Sequence, residues 1–539
     1  MDRSSRRRRA RRPRLPLAAA CAALLLAVSC TGAGGGSRDG AAAHADPGRC
    51  TTPRAAAASP APTARPARRT PPAGADFDGD GRHDLFLEGR YGKPGTPSRA
   101  AVVLLLGARG GAPAGRTVSV TGRFPGLVPG AAENSGDITA LTHLSGDWDA
   151  DGRTDLLLRV FRSSAGAHAP TYRPVFVWGG TGGLAGTRAE LPATDAPPVA
   201  AGDFDGDGRL DLVSGPFTAT ADRRDPVRCA AVDFGPFDRD GRPAQRRYVD
   251  VTRRGTVFAD RLTAGDFDGD GRDEFVVEGD RGAGSRSTRS DDDGAAWSSY
   301  AVDAAAYRYG PGRTVTRTGG LRALGDGRTR PYDPEDDSGT PPPLTAPSGT
   351  LTARTTGDFD GDGRTDLLTG RTDMSTGERA RVVYGGRSGP CAGRAPTEPP
   401  TGDRWTVADV TGDGRDDLVT GDVTGALNRA GTVSVFPGGP HGLAARATVT
   451  FDRDDVGMTA ARADAPAGDR DLFGGALAAA DLDGDGAAEL AVLTQDFRSV
   501  PGTHGTFWIV PGGARGPVPG RAFALNVEHV ERAGRSGRD

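Results

Sequence analysis

The chain has 539 residues, a formal net charge of −3 at pH 7, 82 glycines and 41 prolines. A chain of this length is too long for one ordinary hydrophobic core unless it is built from repeats or as a barrel, and its short Val/Leu/Phe runs between glycine-rich turns indicate an all-β protein. The sequence has no basic stripe with interleaved aromatic residues, which excludes nucleic acid as an expected partner.

The first 29 residues are typical of an export signal, and residues 1–29 are predicted to be a signal peptide of the lipoprotein type. The basic stretch MDRSSRRRRARRPR precedes the short apolar stretch LPLAAACAALLLAVS, and Cys30 follows. The sequence LAVSC is similar to a bacterial lipobox, which implies a lipid on Cys30 and a protein anchored to the outer face of the cytoplasmic membrane. The alternative is cleavage after the A-x-A site at 43–45, which would give a secreted protein.

Two segments outside the repeats are predicted to be disordered. Residues 30–72 are rich in Ala, Gly and Pro and nearly free of large apolar side chains, so they cannot bury enough surface to fold and form a tether. Residues 531–539 are predicted to be a disordered tail. The cysteines beyond residue 30 are Cys50, Cys229 and Cys391, an odd number in an oxidising compartment, and the sequence leaves open which of them pair.

The most informative feature is the nine-residue acidic motif D-x-D-x-D-G-x-x-[DE]. It occurs seven times, and one of the seven copies is a variant. The octamer GDFDGDGR is repeated letter for letter at 202–209, 265–272 and 357–364. The variant copy has Thr411 at position 3. Each copy is named by the number of its first residue, so that loop 76 covers 76–84. The seven copies are loops 76, 147, 203, 266, 358, 409 and 481.

Three or four carboxylates within nine residues repel one another unless a cation lies among them. Ca²⁺ takes six to eight oxygen ligands in a flexible cage, whereas Mg²⁺ prefers a strict octahedron that keeps several waters. Positions 1, 3, 5 and 9 supply charged oxygens, and position 7 supplies its backbone carbonyl, which explains why position 7 is Arg in six copies and Ala487 in the last. The glycine at position 6 permits the sharp turn around the ion.

Two other kinds of loop share part of the motif. Single Asp/Gly runs often make solvated hairpin turns, but seven copies in register make that interpretation weak. The EF-hand loop shares positions 1, 3, 5 and 6 but needs an acid at position 12. Position 12 is not acidic in any copy, so the EF-hand is excluded.

The sequence therefore predicts about seven structural Ca²⁺ ions, with position 7 acting through its backbone oxygen. The predicted ligands are Asp76, Asp78, Asp80, Arg82 and Asp84; Asp147, Asp149, Asp151, Arg153 and Asp155; Asp203, Asp205, Asp207, Arg209 and Asp211; Asp266, Asp268, Asp270, Arg272 and Glu274; Asp358, Asp360, Asp362, Arg364 and Asp366; Asp409, Thr411, Asp413, Arg415 and Asp417; and Asp481, Asp483, Asp485, Ala487 and Glu489.

Short strand-like segments precede and follow each loop, so each loop joins two β-strands. A second strand-like segment, followed by a pair of glycines, recurs further along the repeats, as in VFVWGGTGGL and FWIVPGGARG. The stretch LFGGALAAADLDGDGAAELAV at 472–492 resembles the FG-GAP repeat of integrin α-subunit propellers, and the other six copies resemble the bacterial version, the FG-GAP or VCBS repeat. In that family each repeat is one four-stranded blade. The resemblance implies an all-β, seven-bladed β-propeller over 73–530 with a calcium loop in each blade.

The spacing of the loops is typical of blades with insertions, but two blades are predicted to be weak. The inner strand of the first blade would be the proline-flanked AGADF, and the fifth blade has little room for an outer strand. An eighth, degenerate blade between 266 and 358 remains an alternative.

The expected function is binding, because the sequence contains no HExxH, GxSxG or P-loop motif and no Cys/His nucleophile arrangement. We expect a monomeric adhesion or interaction module for an extracellular protein or glycan, in contact with a membrane only through its lipid anchor. Insertions at 121–140, 279–296, 318–348 and 453–471 would lie on the face opposite the calcium loops. The candidate ligand-binding residues cluster around the largest gap between successive loops, from 266 to 358, and are Trp297, Tyr300, Tyr307, Tyr309 and Tyr332. The alternative is a polysaccharide-acting, lyase-like enzyme with its site on that same face.

Overall fold

The computed structural model describes residues 75–91, 99–108, 116–124, 127, 138–163, 171–190, 198–218, 228–250, 256–281, 301–310, 314–320, 351–373, 377–387, 389–390, 404–422, 431–458, 473–494 and 505–536. The predicted signal peptide and tether, and with them Cys30 and Cys50, lie outside these residues, as does Cys391. In the part of the chain that is described, no helix is both long and apolar enough to cross a membrane.

The described strands form seven antiparallel sheets, and within each sheet the strands lie side by side in chain order. Sheets 1 to 4 contain β1 (Leu85–Tyr91), β2 (Arg99–Leu105) and β3 (Thr117–Ser119); β4 (Ile138–Gly146), β5 (Asp155–Ser163), β6 (Thr171–Val177) and β7 (Arg188–Glu190); β8 (Pro198–Gly202), β9 (Asp211–Thr218), β10 (Arg228–Phe237) and β11 (Pro243–Asp250); and β12 (Thr256–Gly265), β13 (Glu274–Arg281), β14 (Ala301–Gly310) and β15 (Thr314–Gly320). Sheets 5 to 7 contain β16 (Leu351–Gly357), β17 (Asp366–Asp373) and β18 (Gly377–Val383); β19 (Arg404–Ala408), β20 (Asp417–Asp422), β21 (Thr432–Phe436) and β22 (Val449–Asp452); and β23 (Leu477–Ala480), β24 (Glu489–Thr494), β25 (Thr506–Val510) and β26 (Phe523–Asn526).

Each acidic loop connects two neighbouring strands of its sheet. The residue before position 1 pairs with position 9, as Gly146 does with Asp155 in sheet 2. The equivalent pair closes the loop in sheets 3 to 7. In sheet 1 it is reduced to an isolated bridge between Ala75 and Asp84. The expectation that each loop joins two strands therefore holds in sheets 2 to 7 of the described chain, and sheet 1 keeps only the closing bridge.

Sheets 1 and 5 have three strands each in the described residues, and the other five sheets have four. These are the two sheets that the sequence predicts to be weak. Sheet 1 has only the Ala75 bridge where the others have a full first strand, and no fourth strand is described between β18 and β19. The described part of 266–358 adds strands to sheet 4 and sheet 5 and contains no eighth sheet.

The hydrophobic core lies between the sheets, in clusters that each join two neighbours. One cluster packs Leu104 of sheet 1 against Leu156 of sheet 2, and another packs Phe234 of sheet 3 against Phe275 of sheet 4. The cluster that contains Leu105 and Ile509 joins sheet 1 to sheet 7. Because both faces of most second and third strands are covered, these strands are continuous apolar runs, as in the fully buried Leu156, Leu157 and Leu158.

A repeated hydrogen bond links neighbouring sheets at six of the seven junctions in the described residues, and the apolar cluster of Phe234 and Phe275 joins sheets 3 and 4 to complete the ring. An N–H group at or just beyond the end of a central strand donates to the carbonyl oxygen of loop position 2 in the preceding sheet. The bonds in the described residues run from Gly180 to Phe77, Phe237 to Trp148, Gly386 to Phe267, Gly439 to Phe359, Gly513 to Val410 and Ala108 to Leu482, at 2.8–3.2 Å. The last bond joins the seventh sheet to the first. The chain is therefore an all-β propeller, which confirms that part of the prediction.

A C-terminal helix covers the junction between the last sheet and the first. α2 (Val527–Ser536) follows β26 directly, and its Val527 is fully buried against Gly89 of β1. The Glu531 carboxylate is buried and accepts hydrogen bonds from the hydroxyls of Ser119 and Thr121, the second of which lies in the short helix α1 (Val120–Arg123). Residues 531–536 of the predicted disordered tail are therefore helical, because docking on sheet 1 stabilises a segment that is polar in sequence, and 537–539 lie outside the described residues.

Candidate metal centre

The carboxylate at position 1 organises each loop by accepting backbone N–H groups. In loop 76, one oxygen of Asp76 accepts from Gly79 at 2.7 Å and Asp80 at 3.1 Å, and the other accepts from Gly81 at 2.8 Å. The bonds from positions 5 and 6 recur in all seven loops. The glycine at position 6 has a positive φ, 84° in Gly81, which an L side chain rarely adopts. The tight turn follows from the sequence itself.

The carboxylate at position 9 braces the loop against the sheet. In loop 358, Asp366 accepts from the N–H of Phe359 at 3.0 Å and from Gly385, beyond the end of β18, at 2.8 Å. The same two-sided arrangement is present for Asp84, Asp155 and Asp211. Each brace therefore fixes the distance between the loop and the end of the third strand of its blade.

The structure brings positions 1, 3 and 9 together. In each group, one carboxylate oxygen from each of three residues lies within 4.8 Å of the other two. The groups are Asp76, Asp78 and Asp84; Asp147, Asp149 and Asp155; Asp203, Asp205 and Asp211; Asp266, Asp268 and Glu274; and Asp358, Asp360 and Asp366, and the described residues hold one more such group. Three of the predicted side-chain positions thus converge on one point in loop after loop.

Position 5 is placed differently. The Asp362 carboxylate accepts from the N–H of Arg364 at 2.9 Å and forms an ion pair with the guanidinium of Arg364 at 2.5 Å. The equivalent ion pairs measure 2.8 Å in loop 76 and 3.1 Å in loop 409. None of the five named groups includes position 5. The position-5 carboxylate is directed to the position-7 arginine, and its role as a ligand stays a prediction.

The chemistry of the three grouped carboxylates fits a hard cation. Burial raises the pKa of Asp155 to about 7 and that of Asp366 to about 8. Buried carboxylates of this kind are charged at little cost only when a positive partner lies beside them. Ca²⁺ prefers carboxylate and carbonyl oxygens in a flexible arrangement, which these loops offer.

Loop 147 already holds a positive group against its acidic side chains. The guanidinium of Arg239, from the turn between β10 and β11, lies 2.9 Å from Asp149 and 3.1 Å from Asp151. The same guanidinium lies over the ring of Trp178, 5.2 Å from its centroid. A cationic side chain thus stands where positions 3 and 5 would bind an ion. This placement supports a preference of loop 147 for positively charged groups.

Loop 409 has the same backbone with a different donor set. Gly412 donates to Asp409 at 2.6 Å, as in the other loops, but the hydroxyl of Thr411 lies 3.3 Å from the Asp409 carboxylate. The brace residue Asp417 accepts from the N–H of Thr411 at 3.0 Å, one residue further along than in loop 358. The loop therefore keeps its shape with one carboxylate fewer.

Sequence reasoning missed three positions that build the site. Position 2 is a buried apolar residue in every loop, such as Phe77, Trp148 and Val410, each fully buried. Position 8 bonds to the preceding blade, as in the N–H of Asp76 that donates to the Thr154 hydroxyl at 2.9 Å. The glycine after the third strand allows close approach, since a methyl group on Gly179 would come within 2.4 Å of a carbonyl oxygen. Two recurring sequence features could have indicated these positions: the apolar residue at position 2 and the pair of glycines after the third strand.

The predicted ligand-binding aromatics are only partly placed. Tyr307 and Tyr309 lie in β14, whereas Trp297, Tyr300 and Tyr332 lie outside the described residues. Most of each of the four insertions also lies outside them. The candidate binding face therefore stays a prediction.

Comparison with known protein families agrees with the fold. A model of the FG-GAP-like repeat matches residues 147–214 and 358–420. Two parts of the propeller are similar to this repeat. No curated protein matches the chain in sequence. Among solved structures, Bacillus licheniformis rhamnogalacturonan lyase PL11 matches at 12% identity and a TM-score of 0.29, over 83% of this chain and 68% of that one. A likeness of that size carries no argument about activity.

Proposed function

We propose that this chain is an exported, calcium-stabilised, seven-bladed β-propeller that binds an extracellular or cell-envelope ligand. The observation that carries the metal part is the convergence of positions 1, 3 and 9, which recurs in five named loops and one more. A single acidic turn is common without an ion, but the same three oxygens in register around a ring are not expected from solvated turns alone.

The ions would act on the scaffold. Bound Ca²⁺ supplies the positive charge that lets the buried carboxylates stay ionised together. The residues that would hold it are the grouped carboxylates at positions 1, 3 and 9, with position 5 and the position-7 carbonyl as further donors. Each loop closes one hairpin of its sheet, so fixing the loop fixes the two strands and, through the brace, the third.

The ligand would bind at the opposite ends of the strands. In an antiparallel sheet, the connection from the second to the third strand lies at the end away from the acidic loop. Connections at that end carry the long insertions, and loops on a rigid scaffold are where recognition usually occurs. We propose an extracellular protein or a glycan as the ligand and a monomeric propeller as its receptor.

The proposed location rests on the N-terminal sequence. Cys30 would carry the lipid, and 30–72 would hold the propeller away from the membrane surface. Replacing Cys30 with Ala should release the protein to the medium or block its processing. Normal processing with retention at the membrane would contradict the anchor.

The experiment that tests the function combines metal analysis with ligand screening on the purified protein. The calcium content at saturation should be about seven ions per chain, and fewer than about four would contradict the scaffold role. A glycan and protein array, probed with and without Ca²⁺, should show binding that follows the folded fraction. Turnover of a polysaccharide without loss of stability on calcium removal would replace binding with the enzyme alternative.

A further inference from the structure

The arginine at position 7 lies against the loop of the preceding blade. A methyl group placed on Gly79, at position 4 of loop 76, would come within 3.1 Å of the Cγ and Nε atoms of Arg153 in loop 147. The equivalent approach is 2.8 Å between Gly206 and Arg272, 3.1 Å between Gly269 and Arg364, and 3.0 Å between Gly361 and Arg415. In these four loops the absence of a Cβ at position 4 leaves room for the arginine, whereas loop 147 has Ala150 at this position.

The same arginine also binds within its own loop. The Nη1 group of Arg364 is paired with Asp362 at 2.5 Å, while its Nε donates to the carbonyl oxygen of Asp268 in the preceding loop at 3.3 Å. Arg153 and Arg415 form the equivalent ion pairs in their own loops, at 3.6 Å and 3.1 Å. One side chain therefore touches the position-5 carboxylate of one loop and the backbone between positions 3 and 4 of the loop before it.

Backbone bonds join the same pairs of loops. The N–H at position 8 donates to the carbonyl oxygen of position 1 in the preceding loop, as Thr365 does to Asp266 at 2.9 Å. In the opposite sense, the N–H of Asp358 donates to the Asp416 side chain at 2.8 Å. Positions 1 to 4 of a loop, which carry two of its predicted ligands, are thus held by positions 7 and 8 of the next loop.

We propose that metal binding is coupled around the ring, so that an ion in one loop raises the affinity of the preceding loop, with the position-7 arginine as the link. The inference rests on the proposed function, since it takes the loops to be cation sites. An ordered loop presents its arginine and its position-8 groups in fixed positions, so the preceding loop loses less conformational freedom when it binds. By linkage, the effect is the same in both directions.

The ring of arginines is interrupted at loop 481. Its position 7 is Ala487, whose Cβ lies 3.2 Å from a methyl group placed on Gly412 and offers no guanidinium. A methyl group on Gly484, at position 4 of the same loop, would meet no atom of the described residues within 4 Å. Coupling across both junctions of loop 481 should therefore be weaker than across the junction between loops 266 and 358.

The test measures the metal affinity of one loop while metal binding by the neighbouring loop is disabled. Tb³⁺ replaces Ca²⁺, and its luminescence is sensitised by a tryptophan at position 2, where loop 147 naturally has Trp148. Phe267→Trp provides the same reporter in loop 266, with the signal of the parent chain subtracted. Asp358→Asn disables loop 358. We expect it to lower the Tb³⁺ affinity of loop 266 about fivefold or more, within the usual range for coupled sites.

The arginine is tested by a double-mutant cycle. In the Arg364→Met background, Asp358→Asn should change the Tb³⁺ affinity of loop 266 less than about twofold. Arg532→Met removes an exposed arginine from α2, where it pairs with Glu528, and should leave the coupling intact. Equal losses with and without Arg364, or no loss in either background, would overturn the proposal.

Two further measurements separate the possible failures. Absence of Tb³⁺ and Ca²⁺ binding in the parent chain would overturn the proposed function itself, whereas a full complement of ions without coupling would overturn only this inference. If Phe267→Trp does not fold, the junction between loops 76 and 147 gives a second test. There Asp76→Asn should lower the affinity that native Trp148 reports, and Arg153→Met should abolish the difference.

Discussion

Loops 358 and 409 have nearly the same backbone and different donors. In both, position 1 accepts the N–H groups of positions 4, 5 and 6, and position 9 accepts an N–H from beyond the third strand. Only loop 358 has a carboxylate at position 3, and its three grouped oxygens lie within 4.8 Å of one another. The comparison teaches that carboxylate–amide hydrogen bonds build the loop, whereas the side chain at position 3 sets its charge.

The largest effect is expected from chelation, which removes the metal from every loop and so abolishes the difference in metal binding between loops 358 and 409. An ion that binds only the folded state adds ~2.7 kcal/mol at a hundredfold excess over its Kd. Several such sites together exceed the ~5–15 kcal/mol by which a typical domain is stable. Chelation should therefore lower the melting temperature sharply in calorimetry. Identical melting curves with and without chelator would show that the hydrogen bonds suffice without an ion.

The brace should matter equally in both loops, whether or not an ion is present. Asp366→Ala and Asp417→Ala each leave two N–H groups without their acceptor, at about 1–3 kcal/mol for each buried group. Denaturant unfolding in the presence of chelator should show losses of this size for both variants. Asp362→Ala, at the more exposed position 5 of loop 358, is the control. If Asp366→Ala costs no more than this control, the brace is not structural.

Exchanging position 3 should exchange the metal affinities of the two loops. Thr411→Asp restores a charged oxygen and should raise the affinity of loop 409 about tenfold, equivalent to about 1.4 kcal/mol. Asp360→Thr should lower the affinity of loop 358 to a similar extent. Calorimetric calcium titration of both variants checks this. A gain in loop 409 without the reciprocal loss in loop 358 would mean that the neighbouring blades set the affinity.

The smallest expected effect concerns loop 147, where a side chain competes for the acidic groups. Arg239→Gln should raise the Ca²⁺ affinity of that loop about two- to fivefold, because an exposed ion pair is worth at most about 1 kcal/mol. Arg242→Gln is the matched control, since it removes an arginine of the same turn that pairs with Asp240. Titration followed by the fluorescence of Trp148 gives the comparison. Equal effects of the two variants would assign the gain to net charge alone.

Much of the fold could be predicted because the sequence pattern of each repeat specifies its local structure. Alternating carboxylates with a glycine at position 6 dictate a turn, and short apolar runs on both sides dictate strands, so the hairpin of each loop was predictable. The reduced first strand of sheet 1 and, among the described residues, the three-stranded form of sheet 5 also follow from the prolines and the short spacing. The helix α2 was not predictable, because its polar sequence is ordered by Ser119, Thr121 and Gly89, which are distant in the chain.

The structure of each loop depends on its own nine residues, because its turn, its hydrogen-bonded position 1 and its excess of carboxylates are all local features that recur with the motif. Only the tertiary structure decided which oxygens converge and which do not. Position 9 joins the group because pairing with the residue before position 1 folds it back, whereas position 5 turns to an arginine that also reaches the preceding blade. Contacts between blades join residues about 100 positions apart, such as Arg364 and Asp268 at a separation of 96, and no local pattern specifies such pairs.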